Sequence, residues 1–526
     1  GNSMGGFKEY WDLVRKYPKY QGGYIWDFVD QGLRDKSRVT GKEIFTYGGD
    51  YGRYPASDYN FNCNGIIAPD RRLNPHAYEV QYYYQNVWVE DKGIKEGRFE
   101  IYNENFFKSL DDLNLVVKVA VLDANTHARP LSIDIRNIQP QARKTIDNAG
   151  LRDYVAKMVQ QYPDKEIAVE FNFSLREAAP LMEKGQVVAR QQFVVQPYKY
   201  PVIDIAKYLN EGGNDTKVVK KNVKKAKEAT PLFGVKETTS HIAVTAGGTT
   251  MTVGRWSGWI DYLDVDGEPM LLDRESITPE FWRAPTDNDY GAQLQRKFAV
   301  WKDPQMKLKG VEYNVSDSCA MVIALFDMPD VKGLLGMTYI LLPTGEVIVK
   351  QRLTADSEAK VPDMFRYGMQ LQMPKKYADI EYYGRGPIEN YADRNSSEFV
   401  GIYKSNAKDE YFPYIRPQES GNHTDVRRFT VYDGKSGRGL TFYSTAPMEC
   451  SALHYLVADL DDGMNKDKKH GRHSGDLVER DLTQIHIQQK QQGLACVNSW
   501  GAWPLEKYRV HYGNRDFMFV IKPFRK

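Results

Sequence analysis

Gly22-Gly23-Tyr24-Ile25-Trp26-Asp27-Phe28-Val29-Asp30-Gln31 sets an apolar run, 24–29, directly behind a double glycine. A run that is apolar on both faces predicts a strand of a parallel sheet covered by helices. Its surroundings agree. Phe7, Tyr10, Trp11, Val14 and Tyr17 recur at three- and four-residue steps across 4–17, and Pro18 ends the pattern, which predicts an amphipathic helix. Residues 74–88 begin Asn74-Pro75-His76 and predict a second helix with proline in its first turn. Helix, buried strand and helix make the tail of an α/β unit. Alone they cannot close a barrel.

Beyond about Val87 the pattern changes to short alternating runs. Val116, Val117, Val119 and Val121 stand among Asn, Asp and Gly punctuation, and Phe171 and Phe173 continue the alternation. Turn signals about every ten residues predict a small antiparallel sandwich. From Thr239 the β pattern resumes to the end, as in Thr338-Tyr339-Ile340-Leu341-Leu342 and Phe517-Met518-Phe519-Val520-Ile521. One large all-β domain is the simplest account. Between them, Lys217, Lys220, Lys221, Lys224, Lys225 and Lys227 crowd a stretch poor in large apolar groups, which reads as a solvated linker or excursion. The domain reading is therefore 1–84, 85–200, a Lys-rich 201–234, and 235–526.

Charge argues against two partner classes. Seventy-one Lys and Arg against 69 Asp and Glu leave a formal charge of +2, so neither nucleic acid nor an anionic membrane is expected as partner. The apolar run at 334–342 is too short to span a bilayer. Cys63, Cys319, Cys450 and Cys496 are scattered, without zinc spacing, and read as free, mostly buried thiols. A soluble protein of cytoplasm or periplasm is expected. No signal peptide is legible, and a chain that starts mid-protein would not show one.

Four segments carry a resemblance, in one order along the chain. The first is 1–31. The second is Tyr47-Gly48-Gly49-Asp50-Tyr51-Gly52 with Phe61-Asn62-Cys63-Asn64-Gly65 and Asp70-Arg71-Arg72-Leu73-Asn74-Pro75. The third is Phe281-Trp282-Arg283-Ala284-Pro285-Thr286-Asp287-Asn288-Asp289-Tyr290-Gly291. The fourth is Tyr383-Gly384-Arg385-Gly386-Pro387-Ile388-Glu389-Asn390-Tyr391-Ala392-Asp393-Arg394, with Ser499-Trp500-Gly501 near the end. Together they resemble the large bacterial β-galactosidases of glycoside hydrolase family 2. The resemblance implies a mainly β fold: the end of a (β/α)8 barrel, an Ig-like β-sandwich, then a large galactose-mutarotase-like β-sandwich. One departure is local. Where the family often reads Gly-Gly-Asp-Asp-Ser-Trp, this chain reads Ala495-Cys496-Val497-Asn498-Ser499-Trp500.

In that family the nucleophilic glutamate sits in Glu-Tyr-x-His-x-Met-Gly-Asn-Ser, and this chain opens Gly1-Asn2-Ser3-Met4. The resemblance implies that both catalytic glutamates lie upstream and that the chain alone is inactive. A retaining glycosidase needs two carboxyls about 5–5.5 Å apart. Asn103-Glu104-Asn105 mimics the acid/base dipeptide but reads as a turn, and Asp287, Asp289, Glu389 and Asp393 read as structural. No catalytic residue is assigned here.

Substrate contacts are implied instead. Trp26 matches a tryptophan that floors the galactose pocket; the competing reading is a core tryptophan. Phe61, through its carbonyl, and Asn64, through its side-chain oxygen, match a pair contributing to a sodium site beside the sugar. Gly291 matches the start of a loop that moves as the pocket closes, where glycine tolerates unusual backbone angles; a plain turn glycine is the alternative. Trp500 matches a tryptophan that stacks on the aglycone sugar; a buried tryptophan is the alternative. Magnesium in the complete enzyme would be held by ligands outside this chain. Partners implied are β-galactoside sugars and the N-terminal half of the enzyme, and exposed barrel edges favour a homo-oligomer. His423, His470 and His473 read as exposed loop residues. The competing function is a non-catalytic carbohydrate-binding or scaffold module.

Overall fold

The computed structural model describes the 526-residue chain except residues 53–56, 125, 211–231, 466–471, 495–497 and 499–500. Most of the Lys-rich stretch, Cys496, His470 and Trp500 thus lie outside the described residues. The fold is mainly β, as the alternating patterns predict, and divides into two units. One comprises Gly1–His76, Pro201–Asn395 and Tyr403–Lys526; the other comprises Ala77–Tyr200 and Ser396–Ile402.

The smaller unit holds two antiparallel sheets. Val87–Asp91, Arg98–Asn103 and Arg143–Asp147 form one. Val187–Gln196, Ile167–Leu175, Leu113–Val121 and two short strands form the other. Burial alternates along Arg98–Asn103 and through most of Leu113–Val121, so one face of each buries Phe99, Ile101, Leu115 and Val117 in a core shared with Phe171 and Phe173. Helix Ala149–Gln161 adds Leu151, Val155 and Met158, one stripe at four- and three-residue steps, and Asn148 caps it through the Leu151 N–H. Asn103 is buried and donates to the carbonyls of Lys108, Ile138 and Gln139, while Glu104 accepts from Trp88 Nε1 at 2.7 Å. That dipeptide is a strand end.

In the larger unit a twelve-stranded sheet runs from Thr278–Glu280 through Arg366–Pro374, Leu482–Gln491, Arg438–Leu453 and Arg515–Arg525 to Lys307–Val315. Its buried faces supply Phe326, Met337, Tyr339, Tyr367, Phe442, Ile485 and Phe519 to one large core. Aromatic and β-branched side chains fill such pleated surfaces well. The one polar atom of buried Tyr339 is satisfied by donating to the Gly258 carbonyl at 3.1 Å. Cys63, Cys319 and Cys450 are buried free thiols. Among the described residues no helix is long and apolar enough to cross a membrane.

The first 76 residues need two corrections. The expected strand 24–29 is not a strand. Tyr24, Trp26 and Phe28 are 105%, 78% and 66% exposed, and among 24–29 only Val29 makes a bridge, parallel, to Ile67. A strand that is apolar on both faces holds its form only when both faces and both edges are covered, and here one face meets solvent. The helix expected over 74–88 ends at Tyr83, because Val87 and Val89 alternate inward as a strand paired with Arg98–Asn103. The amphipathic helix appears as Phe7–Lys16, but only Phe7 is buried.

Glu449, on the long strand Arg438–Leu453, is buried, accepting from Asn422 Nδ2 at 2.9 Å and the Gln491 N–H at 3.1 Å. Burial raises its pKa to about 7. The folded state therefore keeps a proton that the unfolded chain sheds near pH 4.5, so stability is lost as pH rises through that window. The expected outcome is a fall of up to about 3 kcal/mol in unfolding free energy between about pH 5 and 8, largely abolished in Glu449→Gln, read by urea titration at several pH values.

Candidate functional site

Residues 27–31 lie beside 62–67, joined by backbone hydrogen bonds around one isolated parallel bridge, Val29 to Ile67. The Asp27 N–H donates to the Asn64 carbonyl at 3.0 Å, the Ile66 N–H to Asp27 at 3.1 Å, the Ile67 N–H to Phe28 at 3.1 Å and the Asp30 N–H to Ile67 at 2.9 Å. The first of these bonds brings the backbone at Trp26–Asp27 next to Asn64. The 3-10 turn Tyr59–Asn62 precedes it, and the Asn64 amide donates to the Phe61 carbonyl, so the two expected cation ligands face each other. Rotating that amide by half a turn would present its oxygen instead. Two neutral oxygens suit a hard, weakly charged cation and fill only part of its shell. Among the described residues no group of three or more His, Cys, Asp or Glu could hold a metal.

Asp287 joins this turn to the sandwich. Asn60, buried beside Phe61, donates its amide to both Asp287 oxygens at 3.0 and 2.9 Å. Arg416, fully buried, donates to Asp287 at 2.8 Å and to Asp462, and Gln418 adds a bond to Asp287 at 3.2 Å. The two carboxylates hold the Arg416 guanidinium firmly protonated despite its burial. The short helix Asp287–Gly291 starts with Thr286 and Asp289 capping each other, and Asp289 also grips buried Arg283 at 2.8 and 3.0 Å. The Asp287-Asn288-Asp289 run is thus cap and ion-pair chemistry.

Gly291 ends that helix, exposed and with ordinary helical backbone; the left-handed residue nearby is Gln293, φ 58°. The conformational reason for a glycine hinge therefore does not hold at Gly291. An added Cβ on Gly501 would lie 3.4 Å from the Gly291 carbonyl, so the segment beside Trp500 meets this helix end. A chain of bonds runs from Asp27, the residue after Trp26, through Asn64, Phe61 and Asn60 to Asp287 on that helix. Trp26 is no core tryptophan.

The histidine reading also needs correction. His423 and His473 are buried, not exposed. His423 pairs with Glu410 at 2.6 Å, which lifts its pKa against the opposing effect of burial. His473 bridges Asp50 at 2.8 Å and Asp476 at 3.1 Å, pinning the Tyr47–Asp50 segment to the sandwich. Glu389 is likewise engaged, by Arg394, Tyr414, Ser420 and the Gly421 N–H. Asn60 and Arg416 escaped sequence reasoning, and His473 was misplaced, because Asn60–Asp287, Arg416–Asp287 and His473–Asp50 pair across more than a hundred residues.

The family model "Beta galactosidase small chain" matches residues 245–521. The chain belongs to the β-galactosidase branch of glycoside hydrolase family 2. The family 2 TIM barrel domain matches residues 1–89, and β-galactosidase domain 4 matches 99–196. A β-galactosidase from Halalkalibacterium halodurans is 30% identical over 99% of this chain and 47% of its own length. One from Priestia megaterium is 28% identical over 99% of this chain and 46% of its own. The chain spans about half the length of the curated relatives it matches. Among solved structures, galactose 1-epimerase from Lactobacillus acidophilus aligns over 55% of this chain and 97% of its own at 9% identity, with a TM-score of 0.28, too loose to bear on function.

Arg416→Met should remove the buried guanidinium from partly buried Asp287 and leave buried Asp462 with Arg472 alone. The expected loss is about 3 kcal/mol of unfolding free energy. Adding Asp287→Asn and Asp462→Asn should recover part of it, as urea titration would show.

Proposed function

We propose that this chain supplies the C-terminal portion of a retaining β-galactosidase that hydrolyses terminal β-D-galactosides by double displacement. The observation that carries the reading is the solvent-facing indole of Trp26, held beside Asn64 and Phe61 on the stretch that matches the barrel domain. An exposed tryptophan offers a ring face to a pyranose. Both carboxyl groups of the reaction come from the N-terminal half. The carboxylates touching this segment already accept hydrogen bonds: Asp30 from Gly65 and Asn74, Asp27 through Oδ2 from Gln31, Asp287 from Arg416.

The roles of this chain are then to bind and orient. Trp26 floors the galactose site. The Phe61 carbonyl and Asn64 oxygen form one edge of a sodium site that the N-terminal half completes, and sodium would supply a fixed positive charge for a sugar hydroxyl. Magnesium belongs to residues outside this chain. The row Tyr24, Trp26, Phe28 is also where the N-terminal half packs, covering apolar surface that solvent now meets.

The test is turnover of a chromogenic β-galactoside by this chain alone and after mixing with its N-terminal half. No turnover alone and restored turnover on mixing is the expected result. Binding of galactose without turnover in the mixture would favour a carbohydrate-binding module instead. In the active mixture, Trp26→Ala should raise KM at least about tenfold, and Trp26→Phe less, because a smaller ring face remains.

A further inference from the structure

Around Gly65, three buried side chains converge on a single peptide unit. The Gly65 N–H donates to Asp30 Oδ1 at 2.8 Å. Its carbonyl accepts from Asn74 Nδ2 at 3.0 Å and from His76 Nε2 at 3.0 Å. Asn74 Nδ2 also reaches Asp30 Oδ2 at 3.2 Å, which closes the ring of bonds. Asp30, Asn74 and His76 are 4%, 3% and 1% exposed.

A carbonyl only accepts, so His76 carries its hydrogen on Nε2, and Nδ1 is left bare and without a partner. Burial, with Arg394 nearby, keeps the ring neutral. Asp30 is held partly desolvated, with its pKa raised by burial. Burying a carboxylate, an amide and a half-satisfied imidazole on one peptide is expensive compared with packing apolar groups there. The backbone approach is equally demanding. A Cβ on residue 65 would stand 2.0 Å from the Asp30 nitrogen and 2.4 Å from the Val29 carbonyl carbon, so only glycine fits.

Gly65 is the residue after Asn64, whose carbonyl takes the Asp27 N–H next to Trp26. We infer that Asp30, Asn74 and His76 are positioning residues of the galactoside site: together they clamp the Gly65 peptide and so hold Asn64 in register beside Trp26. The inference rests on the function proposed above and extends it to side chains that never touch the sugar. It explains why polar groups are buried where a barrel core would otherwise be apolar. Sites that must hold a ligand to within a fraction of an ångström need such support behind the contacting residues.

The experiment uses this chain mixed with its N-terminal half and compares Asn74→Ala, His76→Leu and His76→Gln with the unsubstituted protein. KM and kcat for a chromogenic β-galactoside, the inhibition constant of galactose, and Tm are read together. Hydrogen exchange of peptides covering 61–67 is read with and without galactose. Asn74→Ala and His76→Leu should raise KM and the galactose inhibition constant about tenfold, with kcat changed much less. They should also abolish the galactose-dependent protection of 61–67. His76→Gln keeps an N–H for the Gly65 carbonyl and should restore both readouts to within about threefold. Two results overturn the inference while leaving the proposed function standing: variants that lower Tm but leave KM and inhibition unchanged, or His76→Gln behaving no better than His76→Leu. An unsubstituted mixture with neither turnover nor galactose-dependent protection overturns the proposed function and the inference with it.

Discussion

The buried guanidinium of Arg416 is the interaction on which the rest of the larger unit turns. It lies between Asp287 and Asp462 and over the ring of Tyr290, with Arg472 on the far side of Asp462 at 2.6 Å. Through Asp287 it reaches Asn60, and through Asn60 the turn that carries Phe61. An isolated charge in such a place would be prohibitive, so the four groups stand or fall together. Arg283, Arg366 and Arg394 repeat the device, each buried and each paired with carboxylate. Arg394 also takes the Asn2 side chain and the Ser3 carbonyl, so the first residues of the chain are threaded into the same polar layer.

This layer explains how the described residues of 1–76, which make no sheet of their own beyond one hairpin, hold a defined shape. Apolar packing alone would not do it, since Tyr10, Leu13, Tyr24, Trp26 and Phe28 are exposed. Directional bonds hold the segment against the sandwich while its aromatic face stays open. A surface ordered by polar contacts and still apolar on its outer side is well suited to meet a further piece of protein or a sugar ring.

Much of the architecture was legible in one dimension. Alternation of apolar residues over 113–121 and 167–175 reports strands directly, because side chains on a strand alternate faces with period two. The helix Phe7–Lys16 was visible for the same kind of reason. Misreadings arose where one pattern permits two outcomes. Residues 24–29 satisfy the strand pattern, yet a strand needs neighbours that pattern does not supply. Val87 and Val89 extend a helical pattern equally well as they begin a strand, and pairing with Arg98–Asn103 decided it. His423 and His473 sit in polar stretches that read as exposed loops; buried carboxylate partners draw them inside.

Periodicity and the four ordered motifs were enough to establish the family and the mainly β fold, and to name Trp26, Phe61 and Asn64 as a candidate set, because those properties depend on neighbours in the chain. Tertiary structure alone decided which polar residues support that set. Asp287 meets Arg416 across 129 residues, and Asp50 meets His473 across 423. Such pairs leave no trace in local spacing, since a hydrogen bond depends on distance in space and the sequence records only distance along the chain.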